Sequence, residues 1–165
     1  MSQLQNRPAS PLPSPLLMGS RAAEEVATPV TVTVFTNGCF DLFHYGHVDF
    51  LRRCKAMGTR LIVGLNSDTS IQRLKGARRP IISQRWRQGV VSACRYVDEV
   101  HVFDDDTPVN LIDQLRPQII VKGPGYSESN MPEAAVAKSY GARVVTLDGL
   151  PISTTGIIER IRSDA

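Results

Sequence analysis

The sequence predicts an α/β domain built on a doubly wound, mostly parallel five-stranded sheet. Two observations carry that expectation. Past residue 29, short β-branched apolar runs alternate with segments of helical spacing, the order that parallel strands and covering helices require. The strand-like runs are also close to continuously apolar, as in strands covered on both faces.

The elements follow in chain order. Residues 30–35 are β-branched and apolar, a strand; residues 47–57 place Val48, Phe50, Leu51 and Cys54 at helical spacing and stop at Gly58. Residues 60–65 form a second buried strand, and residues 67–74 a short helix that Ser67 or Asp68 caps. A basic loop over residues 75–79 ends at Pro80. Residues 83–96 predict a helix with Val90, Val91 and Cys94 on its inner face. A strand at 98–103, a helix at 109–115, a strand at 118–121, a helix at 132–140, a strand at 142–147 and a closing helix at 153–161 complete a Rossmann-like order. In Asp104-Asp105-Asp106-Thr107-Pro108, Asp106 or Thr107 is expected to cap the helix that Pro108 begins. Trp86 is expected to pack as core or surface filler. Arg78, Arg79 and Arg85 read mainly as solvated basic surface.

Residues 1–28 differ in composition. Pro8, Pro11, Pro13 and Pro15 with Ser10, Ser14 and Ser20 oppose a long helix and bury little, so a disordered tail is expected ahead of one domain over residues 29–165. Contents of 42% hydrophobic and 21% charged residues are ordinary for a globular domain. A net charge of +3 suits an acidic small molecule, and no Lys/Arg stripe interleaved with aromatics marks a nucleic-acid surface. No apolar run reaches the roughly 18–20 residues that span a bilayer, and no export signal stands at residue 1. Cys39, Cys54 and Cys94 form no paired motif, which fits a reducing compartment, and the expected location is the cytoplasm.

Ligands of doubly wound sheets bind outside the carboxyl ends of the strands, where the strand order reverses. His44-Tyr45-Gly46-His47 follows the first strand and so lies at that end. Two imidazoles three residues apart share a helical face. As imidazolium they would neutralise an anion, beside the free N–H groups of the first helical turn. Gly46 would let a bulky ligand approach the backbone. A polyphosphate suits all three features. The same spacing also suits a surface pair or half of a metal site, but His101 and the cysteines complete no C-x-x-C or H-E-x-x-H pattern. Asp41 is expected to hold the His44 loop by accepting backbone hydrogen bonds.

The segment Gly38-Cys39-Phe40-Asp41-Leu42-Phe43-His44-Tyr45-Gly46-His47 resembles the first signature of the cytidylyltransferase-like nucleotidyltransferases. Ile152-Ser153-Thr154-Thr155-Gly156-Ile157-Ile158 resembles their second, and the resemblance covers residues 30–162. It implies attack by a phosphate monoester on the α-phosphorus of a nucleoside triphosphate, with release of pyrophosphate. It implies catalytic roles for His44, His47 and Lys75. It assigns nucleotide binding to Cys39, Phe40, Gly46, Arg87, Lys122, Gly123, Ile152, Ser153, Thr154 and Thr155. Mg²⁺ would arrive with the triphosphate and take no protein ligand.

Thr36-Asn37-Gly38, Leu74-Lys75-Gly76 with Arg79-Pro80, and Val121-Lys122-Gly123 are similar to the heptose-1-phosphate adenylyltransferases within that family. The implied reaction uses ATP and a sugar 1-phosphate and makes an ADP-sugar, in an enzyme commonly dimeric. Two positions depart from the pattern: Arg85 stands where a Glu is usual, and Gly123-Pro124-Gly125-Tyr126 lacks an Asp before the tyrosine. Cys94-Arg95-Tyr96-Val97-Asp98-Glu99-Val100 is similar instead to the cytidylyltransferases of alcohol phosphates. A CTP-dependent enzyme is therefore the alternative, and a nucleotide-binding module without turnover a further one.

Overall fold

The computed structural model describes residues 30–126 and 131–164; the tail expected over residues 1–28 lies outside the described residues. Five strands, β1 (Thr33–Gly38), β2 (Arg60–Asn66), β3 (Glu99–Phe103), β4 (Ile119–Lys122) and β5 (Arg143–Thr146), form one sheet in the order β3-β2-β1-β4-β5. Every neighbouring pair is parallel, so the expected mostly parallel sheet is wholly so. Among the described residues six helices accompany it: α1 (Tyr45–Lys55), α2 (Asp68–Lys75), α3 (Gln84–Ser92), α4 (Val109–Leu115), α5 (Pro132–Ser139) and α6 (Thr154–Ser163). None is long and apolar enough to cross a membrane.

Strand parity divides the core into two layers. Val34, Leu61, Val63, Leu65 and Val121 pack with Leu51 and Cys54 of α1 and Val91 of α3. Phe35, Ile62 and Ile120 face the other way, onto Ile112 of α4 and Ala137 of α5. The covering helices thus change sides between β1 and β4. Two side chains lock that junction: Thr36 Oγ1 donates to the Val121 carbonyl at 2.8 Å, and Gln118 Oε1 accepts the Thr33 N–H at 2.7 Å.

Three expectations need correction. The first strand begins at Thr33 rather than at residue 30, and it runs on through Asn37 and Gly38. Pairing with β2 starts at Thr33↔Arg60 and ends at Gly38↔Leu65, so Val30 has β propensity but no neighbour and is 82% exposed. The third helix ends at Ser92, and its inner face carries Arg87 and Val91, one turn apart, which leaves Val90 exposed. Finally, α4 starts after Pro108 with no side-chain cap. Asp106 instead accepts from Arg73 Nε at 2.7 Å, and Asp104 accepts the hydroxyls of Ser67 and Thr69. The acidic run therefore fastens the loop after β3 to α2. Ser67 does cap α2, accepting the Ser70 N–H at 3.0 Å.

Candidate active site

The chain leaves β1 through a tight loop in which Phe40 and Leu42 both adopt left-handed backbone, at φ of 47° and 46°. For residues with a Cβ this conformation costs on the order of 1 kcal/mol each, so the surroundings must hold it. Phe40 is buried, with its ring centroid 5.2 Å from that of His47. Arg87 Nη1 donates to the Cys39 carbonyl at 2.6 Å. Buried Asp41 accepts from Arg79 Nε at 3.0 Å and from the N–H groups of Ile81 and Ile82, each at 2.9 Å. Asp41 thus accepts backbone bonds as expected, but from the segment ahead of α3 rather than from its own loop. The two loops are knotted together at one carboxylate.

His44 is the N-cap of α1, and its ring stacks on that of His47 with centroids 3.9 Å apart. Nδ1 of His47 accepts the His44 N–H at 3.3 Å, which leaves Nε2 as the protonated, donating nitrogen of the neutral ring. Phe43 also stacks on His47, with ring centroids 5.4 Å apart. Burial pulls His47 down to about 4; the neighbouring His44 and Lys75 push the same way, and Asp41 opposes. Burial lowers His44 as well. The expected imidazolium pair is thus a pair of neutral N–H donors near pH 7, because aromatic walls desolvate the rings before any anion arrives.

This has a measurable consequence for stability. In the unfolded chain His47 titrates near its ordinary value, so between roughly pH 6.5 and 4 the unfolded state binds a proton that the folded state refuses. Stability must fall as pH drops through that window. We expect His47 to account for about 2 kcal/mol of the loss between pH 7 and 5. Urea titrations at the two pH values should show a smaller loss for His47→Asn than for the natural chain.

The second helix mouth abuts the first. A Cβ on Gly46 would lie 2.8 Å from Ile152 Cγ2 and 3.0 Å from the His44 ring, so only glycine allows this approach. Ser153 caps α6 by accepting the Gly156 N–H at 3.1 Å, and Thr154 Oγ1 donates to the Asp41 carbonyl at 2.6 Å. Two of the three expected phosphate-binding hydroxyls thus make structural bonds. The Thr155 hydroxyl and the N–H groups of Thr154 and Thr155 have no partner among the described residues. Lys75, the exposed last residue of α2, lies near enough to His47 to depress its protonation, and its ammonium has no ion-pair partner among the described residues.

Arg87 stands behind this surface, 1% exposed. It donates to the carbonyls of Ile82, Cys39 and Asn66 and to Asp68 Oδ1, at 2.9, 2.6, 2.9 and 2.8 Å. Asp68 therefore supplies the carboxylate partner, and the departure at Arg85 leaves this ion pair intact. Arg85 is exposed, its guanidinium carbon 5.4 Å from the centroid of the exposed Trp86 ring. On the far wall, Lys122 closes β4 ahead of Gly123. Its ammonium donates to Asn37 Oδ1 at 2.6 Å and pairs with Glu133 of α5, both charges being almost fully buried. Burial draws Lys122 down to about 8, which still leaves it charged near pH 7. A separate hollow of about 480 Å³, lined by Ala134, Lys138, Gly141 and Val144, lies at the edge of the sheet beside β5 and contains none of these residues.

A doubly wound parallel sheet with two abutting helix mouths beside its switch point, one of them carrying stacked imidazoles, defines an α/β domain of the class that binds anionic ligands in that crevice. The chain belongs to the cytidylyltransferase-like family, whose model matches residues 35–160. The bifunctional protein HldE of Syntrophotalea carbinolica is 51% identical over 129 residues, covering 78% of this chain and 26% of that protein. A protein of the same name from Gluconobacter oxydans is 42% identical over 161 residues, covering 97% of this chain and 34% of that protein. The chain thus spans about a quarter to a third of the length of these relatives. A crystal structure of a lipopolysaccharide core biosynthesis protein from Thermoplasma volcanium matches with a TM-score of 0.62 at 23% identity, over 73% of this chain and 99% of that one, and shares its fold.

Proposed function

We propose that residues 29–165 form a nucleotidyltransferase domain that moves AMP from ATP to a sugar 1-phosphate, a heptose 1-phosphate, yielding an ADP-sugar and pyrophosphate. The contact between the α1 and α6 mouths carries this reading. It gathers the His44 and His47 donors and the free N–H groups of α6 where one triphosphate can meet all of them. Similarity to the HldE proteins favours the sugar phosphate over the alcohol phosphate of the CTP-dependent alternative.

The reaction needs little covalent help from the protein. A phosphate-monoester oxygen is already anionic at neutral pH, attacks the α-phosphorus, and the α–β bridging bond breaks with its electrons leaving on pyrophosphate. Alignment and charge stabilisation are what the site contributes. The Nε2–H of His47, with the ring of His44 stacked beside it, donates to the α-phosphate as charge builds there, and the approach of phosphate raises the basicity of both rings. Gly46 leaves the backbone open to the triphosphate, and α6 holds its far end. Cys39 and Phe40 form the floor under the nucleotide. Arg87 acts there through the Cys39 carbonyl, and Gly123 lies on the opposite wall. Mg²⁺ would arrive with the triphosphate, held by phosphate oxygens and water, and would supply further charge neutralisation there.

The direct test is pyrophosphate release with ATP and CTP, each against a heptose 1-phosphate and glycerol 3-phosphate. Release with ATP and the sugar phosphate alone supports the proposal; release with CTP and the alcohol phosphate overturns it. Lys75→Ala should raise KM for the phosphomonoester about tenfold, the scale of one charged hydrogen bond, with KM for ATP little changed. A change confined to ATP would move Lys75 to the nucleotide.

A further inference from the structure

We propose that Asn37 recognises a sugar hydroxyl of the bound substrates, with the Lys122–Glu133 ion pair as the positioning device that aims its amide. The inference rests on the reaction proposed above and concerns the wall of the crevice opposite the histidines. Strand parity puts Asn37 on the same face as Phe35, and Lys122 on the same face as Ile120, which is the side covered by α4 and α5. The crevice between the ends of β1 and β4 therefore has a phosphate wall, made by the α1 and α6 mouths, and this second wall.

The second wall has its own chemistry. Lys122 carries only donors, so the atom of Asn37 that it touches at 2.6 Å must be the carbonyl oxygen. The amide orientation is thereby fixed, and the half-buried NH₂ group is left as a donor with no partner among the described residues. Lys122 is held in turn by Glu133; at 3% and 2% exposure the two charges neutralise each other inside the wall. A neutral wall is a poor anion site. Tyr126, 48% exposed, has its ring 5.0 Å from the Lys122 ammonium at the rim. A fixed amide donor beside an exposed aromatic ring suits a hydroxylated ring, either the acceptor sugar or the ribose of the nucleotide. Although the chain has Gly at 125, it brings a carboxylate to this corner from α5.

Asn37→Asp keeps the size and the acceptor for Lys122 but removes the donor, and Asn37→Ser shortens the side chain. With folding checked by urea titration, we expect either variant to raise one KM about tenfold while kcat changes less than threefold. A rise for the sugar 1-phosphate assigns the contact to the acceptor. A rise for ATP that vanishes with 2′- or 3′-deoxy-ATP assigns it to ribose. Glu133→Gln should raise the same KM with kcat retained, a split that a merely structural role would not produce. Unchanged KM values in folded Asn37→Asp, or losses confined to kcat, would overturn the inference and leave the reaction standing. Failure of the natural chain itself to turn over ATP and heptose 1-phosphate would overturn the reaction and this inference together.

Discussion

Replacing His44 or His47 with alanine should lower kcat by about 10²-fold or more, the scale for losing one donor aimed at developing transition-state charge. The two losses should not multiply. The rings are stacked, and His47 holds its tautomer through the His44 N–H, so the double variant should be little worse than the poorer single one. His47→Gln, which keeps an N–H donor of similar reach, should recover part of the rate. His47→Asn is the right stability control but too short to recover activity. Pyrophosphate release at saturating substrates measures all five. Ordinary turnover in both alanine variants would remove the histidines from the chemistry.

Arg87→Ala should be the most destabilising single change. It leaves three carbonyls and the partly exposed Asp68 carboxylate without the fully buried guanidinium that joins them. Breaking a buried, hydrogen-bonded charge in this way costs about 3–5 kcal/mol, to be read from the urea midpoint at constant m-value. Arg87→Lys should recover only a fraction, since an ammonium cannot reach four acceptors that a planar fork spans. Should the alanine variant keep its stability and lose only ATP affinity, Arg87 would be a ligand of the nucleotide rather than the pin behind its loop.

Much of the architecture could be read from apolar runs alone, because a strand covered on both faces has little choice of composition. The helix at Val109–Leu115 and the strand starting at Arg60 fall where the pattern places them. Boundaries slip where a partner, not propensity, decides: among the described residues Val30 is exposed with no ladder partner and Val32 bonds only to the turn at Thr59 and Arg60, while Asn37 and Gly38 lie past the apolar run and are paired. The two signature segments were visible as motifs, and the structure brings them into contact. Their ionisation was not visible, since it follows from burial in the fold, which sets the rings of Phe40 and Phe43 against His47. Nor was the work of Arg87, because three of its four partners are backbone carbonyls, which leave no trace in residue identity. Glu133 belongs to no motif, and only the fold sets it against Lys122.

The contact between Gly46 and Ile152 reaches beyond catalysis. Positions 46 and 152 lie more than a hundred residues apart in sequence, yet they share a single volume. A larger residue at 46 would press on both Ile152 and the His44 ring, so the two segments are constrained to be inherited, recombined or redesigned as one unit. Chimeras that join the first half of one homologue to the second half of another should fail wherever this couple is mismatched, however well each half suits its own strands.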